Sequence, residues 1–142
     1  MRRVNGKTRG LVVLLGFLAG LALAVLAYAQ AEPWKAPPEA KKLVNPVKAT
    51  PESVAKGKEI FAKVCVVCHG EKGDGKGPAG AALTPPPGNF TDPAVQAQTD
   101  GEIFWKITNG RGAMISYKDT YSETDRWNLV NFIRTFAKAE KK

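Results

Sequence analysis

The sequence predicts an all-α domain built on three main helices. Apolar residues recur at three-to-four-residue spacing in three segments, with capping or stop residues at their ends. No segment alternates apolar and polar residues over a length useful to a strand. The long connection after the first helix is so rich in Gly and Pro that it fits neither a regular helix nor a central strand.

The 142 residues begin with Arg2, Arg3, Lys7 and Arg9, followed by an uncharged apolar run over residues 11–29. That layout is an export signal. Ala27-Tyr28-Ala29 reads as a small-x-small cleavage site, and nineteen apolar residues are also long enough to span a bilayer. Residues 1–31 are therefore expected to be either a cleaved signal peptide or a retained N-terminal membrane anchor. Either way the remainder is expected outside the cytoplasm, in the periplasm or on the outer face of the cytoplasmic membrane. Residues 32–50 are proline-rich and without hydrophobic period, and read as an extended linker. About twenty residues at ~3.1 Å each would hold the domain up to roughly 60 Å from a bilayer. Within the linker, Trp34 suits either a membrane interface or a cover over the domain.

The folded domain is expected over residues 51–139, with a short charged tail at 140–142. Its first helix should start at Thr50-Pro51, a capping threonine before a proline suited to the first helical position. Val54, Gly57, Ile60, Phe61 and Val64 give it one apolar face, and it reaches the cysteines at its C-terminal end. Residues 70–93 are loop. A second helix is predicted from Thr99 or Asp100 to Asn109, where Asn109-Gly110 is a stop signal. A third begins at Ser122, with Asp125 in the capping-box position, and continues through residues 126–138.

Charge excludes little but weighs against nucleic acid. The formal net charge of +8 falls to +4 once the four basic residues ahead of the apolar run are set aside, and the remaining lysines form no long basic block. Three short helices make a marginal core, so something should supplement it.

The chemistry is concentrated in Cys65-Val66-Val67-Cys68-His69, which holds both cysteines and the single histidine of the chain. A closed zinc site wants four ligands, commonly as two pairs, and no second pair exists. A thiol-disulfide pair gains its thiolate from a helix N-terminus, whereas this pair follows a helix. Covalent haem attachment fits: the two thiols add to the two porphyrin vinyl groups and the adjacent histidine ligates the iron. A second axial ligand could be methionine, histidine, lysine, water or nothing. No second histidine exists, and Met114 is the only methionine besides Met1.

With that motif, the helix GKEIFAKVCVVCHG, the glycine-rich GDGKGPAG, the loop ALTPPPGNF and the final RWNLVNFIRTF, residues 52–137 resemble a class I, single-haem cytochrome c of the kind found in bacterial respiratory chains. The resemblance implies one haem c bound through Cys65 and Cys68, with His69 and Met114 as the iron ligands. It implies that the carbonyl of Pro78 accepts from the second ring nitrogen of His69, and that Gly57 and Phe61 face Leu129 and Phe132. Trp105, Trp127 and Tyr117 are candidates to line the haem or to be plain core. Relatives often carry Met-Pro where this chain has Met114-Ile115, so a less rigid ligand loop is expected. The implied function is an exported electron carrier, not an enzyme, docking transiently to redox proteins of a respiratory chain. The alternatives are a haem subunit dedicated to one membrane redox complex, or an open-site sensor or peroxide-reactive protein if Met114 does not ligate. A partial phosphate-loop match over residues 70–76 lacks its Ser/Thr, and the Asn89-Phe90-Thr91 sequon carries no functional information.

Overall fold

The computed structural model describes residues 33–137; the predicted signal or anchor segment and the charged tail lie outside the described residues. The chain divides into two compact units, Met1–Trp34 and Lys35–Lys142, and every element below belongs to the second. Its described residues form five α-helices: α1 (Pro51–Val64), α2 (Val66–His69), α3 (Pro93–Gln96), α4 (Asp100–Asn109) and α5 (Glu123–Arg134). Among them the only β pairing is an isolated bridge between Arg111 and Met114. No helix among the described residues is long and apolar enough to cross a membrane.

The three long helices stand where their caps place them. The Thr50 side chain accepts from the Ser53 backbone N–H, with Pro51 at the first helical position. Thr99 and Glu102 form a complete capping box ahead of α4. The Ser122 hydroxyl accepts from the Asp125 N–H and donates to the Asp125 carboxylate at 2.8 Å, so only half of a capping box forms. The third helix is shorter than expected. After Arg134 the backbone tightens, with Thr135 and Phe136 bonding back to Phe132 and Ile133, and Phe136 still packs near Phe132 with ring centroids 5.0 Å apart.

Helices α1 and α5 cross at Gly57, where an added Cβ would lie 2.1 Å from the Asn128 carbonyl oxygen and 2.8 Å from Phe132 Cβ. Beside that crossing Phe61 meets Phe132 edge-on at 5.2 Å. So Gly57 faces Asn128 and Phe132, and the expected aromatic contact forms. A buried polar chain runs along the crossing: Ser53 Oγ donates to Asn128 Oδ1 at 2.7 Å, and Asn131 Nδ2 donates to Ser53 Oγ at 2.7 Å. Each of these buried groups is thereby satisfied. Trp127 is plain core: it is 2% exposed and stacks on Phe104 with ring centroids 3.8 Å apart.

The expected linker is the main correction. Pro38–Lys42 form a 3-10 turn, and Ala40 is completely buried. Its carbonyl sits against Gly101 of α4, where a Cβ would be 2.1 Å away. Farther along, Asn45 Nδ2 donates to Asn131 Oδ1 at 2.8 Å, and Asn131 Nδ2 donates to the Val47 carbonyl at 3.1 Å. The segment is thus a strap fastened to α4 and α5 through much of its length.

Candidate haem-binding site

Helix α1 ends at Val64, Cys65 caps it, and one further turn, α2, carries Cys68 and His69. The motif's three side chains therefore stand at the end of α1 and on the single turn that follows it. The loop that follows closes on the same turn: Gly75 N–H bonds the His69 carbonyl at 2.8 Å, Gly77 N–H that of Cys68 at 3.0 Å, and Ala79 N–H that of Val67 at 2.9 Å. The carbonyls left open at the end of α2 are thereby satisfied.

The acceptor for His69 is not the predicted one. Its Nδ1 lies 3.0 Å from the carbonyl oxygen of Gly88. Pro78 instead stands exposed in the turn after Gly77. A carbonyl only accepts, so Nδ1 carries the proton and Nε2 keeps the lone pair needed to ligate a metal. Phe90, two residues beyond Gly88, stacks on the imidazole with centroids 4.5 Å apart and planes at 17°. It is held in turn by its own N–H bond to Gly73 and by Phe61 at 6.1 Å. Gly88 and Phe90 were missed because one acts through its backbone and the other reads as an ordinary loop aromatic.

Burial lowers the His69 pKa, partly offset by the bond to Gly88, so the ring stays in the neutral form that ligates. The Cys65 thiol is pushed up to about 12, first by burial and then by Cys68. A thiol held neutral is a poor redox nucleophile and a poor zinc ligand. Both cysteines are free thiols. Tyr117 lies beside them; its hydroxyl donates to the Val64 carbonyl at 3.3 Å, and burial, with lesser contributions from Cys65, Tyr121 and Cys68, raises its pKa to about 12.

Met114 is partly buried against the core. Arg111 and Met114 exchange both backbone hydrogen bonds, at 2.8 and 3.1 Å, around a two-residue turn with Gly112 at φ +58°. Downstream, Ser116 Oγ donates to the Thr108 carbonyl at 2.6 Å and Tyr117 N–H to that of Ile107 at 3.2 Å. These bonds restrain the segment that lacks the expected proline. Trp105 is partly buried on α4. The sequon is a local turn, in which Asn89 Oδ1 accepts from both the backbone N–H and the hydroxyl of Thr91.

A family model described as "Cytochrome C oxidase, cbb3-type, subunit III" matches residues 52–133. The chain belongs to this family of c-type cytochromes. It is a class I cytochrome c domain, and the domain type implies covalently bound haem and electron transfer. In the solved reducing HAO-like protein complex of Kuenenia stuttgartiensis, one chain shares the fold at a TM-score of 0.60 and 22% identity. The likeness covers 79% of this chain, which spans about half of that one, 54%. The donor set found here fits the haem that this cytochrome domain implies: two thiols three residues apart and an imidazole with Nε2 uncommitted.

Proposed function

We propose that this cytochrome domain carries single electrons through one haem c, joined to Cys65 and Cys68 and ligated by His69 and Met114, on the outer side of the cytoplasmic membrane. The observation that carries this reading is the fixing of His69 Nδ1 by Gly88, which leaves Nε2 for the iron. When bound, haem supplies the one-electron iron couple. The protein's part is orientation, exclusion of water and charge control. Gly88 and Phe90 fix the plane of the imidazole, and the paired Arg111 and Met114 backbones restrain the loop whose Met114 thioether would be the second ligand. Were His69 and Met114 both to ligate the haem iron, no site would be left for a substrate, which suits a carrier. Val67 between the cysteines is 45% exposed and Ile115 beside Met114 is 61% exposed. Such apolar residues next to the ligands suit a small, transient redox contact.

The test is the optical spectrum of the haem-loaded protein, with Met114→Ala as control. The wild type is expected to be low-spin with the weak far-red methionine–iron band. Met114→Ala is expected to lose that band and bind carbon monoxide readily.

The description of the matching family favours a second reading, in which the domain is the haem subunit of one membrane oxidase and residues 11–29 are retained as its anchor. In that case the full chain purified from membranes in mild detergent co-migrates with a larger oxidase, whereas a free carrier migrates alone.

A further inference from the structure

We infer that the strap beside α4 and α5 is a lipid-docking surface that sets the cytochrome domain against an anionic membrane, a step that rests on residues 11–29 being a retained anchor. Residues 41–44, Lys41-Lys42-Leu43-Val44, form a continuous exposed run. Leu43 is 43% exposed and Val44 84% exposed, a costly placement for two aliphatic side chains in water. Over residues 33–48 there are four lysines, at 35, 41, 42 and 48, all exposed, against the acidic Glu39, with Glu102 of α4 lying 3.9 Å from the Lys41 ammonium. Cationic side chains around exposed aliphatic ones match an interface of anionic headgroups over acyl chains.

Chain length supplies the independent argument. Six residues, spanning seven Cα–Cα steps, lie between Ala29, the last of the apolar run, and Ala36, the first buried residue of the strap. Fully extended they reach at most about 25 Å. A free linker would have let the domain range much farther, but fastening Ala40 under Gly101 and Asn45 to Asn131 removes that slack. A retained anchor therefore limits the start of the strap, at Ala36, to within about 25 Å of the end of the apolar run.

The test uses the full-length, haem-loaded chain in lipid nanodiscs of phosphatidylcholine, with or without phosphatidylglycerol. Intact mass is measured first, then amide hydrogen exchange over residues 43–48. Exchange at Val44 is expected to slow at least about tenfold with phosphatidylglycerol, and to recover at high salt. The double variant Lys42→Glu with Val44→Ser, both exposed positions, is expected to abolish the difference and leave the haem spectrum unchanged. A mass lacking residues 1–29 would overturn the anchor and the docking together. A full-length mass with equal exchange in both lipids would overturn the docking alone and leave the face to a protein partner or to solvent.

Discussion

At Gly57 the helices α1 and α5 meet backbone to backbone, and a single hydrogen stands where any other residue would carry a carbon. Alanine is the better helix former by about 1 kcal/mol. Here that gain is outweighed, because the new Cβ would lie 2.1 Å from the Asn128 carbonyl oxygen, a backbone atom that yields only if a helix moves. Overpacking of this kind costs about 3 kcal/mol. Gly57→Ala is thus expected to lose about 2 kcal/mol net, read as a lower denaturation midpoint with the haem spectrum unchanged at neutral pH. At the same scale, what could be read from sequence depended on which part of a residue acts. Cys65, Cys68 and His69 announce themselves by side-chain type and spacing. Gly88 acts through a carbonyl that every residue possesses, nineteen positions from its partner, so the expectation fell on Pro78.

Among the elements, the segment between α4 and α5 carries Met114 and has little regular structure, so its shape depends on what closes it. One closure is Arg126 on α5, which is only 7% exposed. Its Nη1 donates to the carbonyls of Lys118 at 2.7 Å and Tyr121 at 2.6 Å, and its guanidinium carbon sits 5.3 Å from the centroid of the Phe104 ring. Arg126→Met keeps the apolar stem but leaves those carbonyls without their donor, at about 3 kcal/mol. The expected outcome is a drop in stability together with a weaker methionine–iron band, because the same segment presents Met114. A variant equally destabilised elsewhere, such as Gly57→Ala, should keep the band. The helices were legible because each cap is a short local pattern, at Thr50, Thr99 and Ser122. The strap was not. Its prolines erase periodicity, and its burial depends on Gly101 and Asn131, more than fifty residues away.

At the scale of the whole domain, these local devices act around one buried cluster. The buried cluster spans α1, α4 and α5, and Cys65, Val66, Phe90, Met114 and Tyr121 are only partly buried against it. Two of those five, Cys65 and Met114, are residues proposed to hold the haem, and both stand at the cluster's margin. A haem joined there would extend an apolar core that is marginal at this size, linking stability to the group that carries the electron. Class and chemistry were legible from the sequence because the chain holds one histidine and two cysteines, all in one place. How the ligand loop stays closed without its proline was not, since that rests on backbone bonds among Arg111, Met114, Ile107 and Tyr117. The central proposal is that His69 and Met114 would both ligate the haem iron. The most direct measurement is the spectrum of the reduced, haem-loaded protein before and after carbon monoxide. An unchanged low-spin spectrum is the predicted result; ready binding of carbon monoxide by the native protein would contradict it.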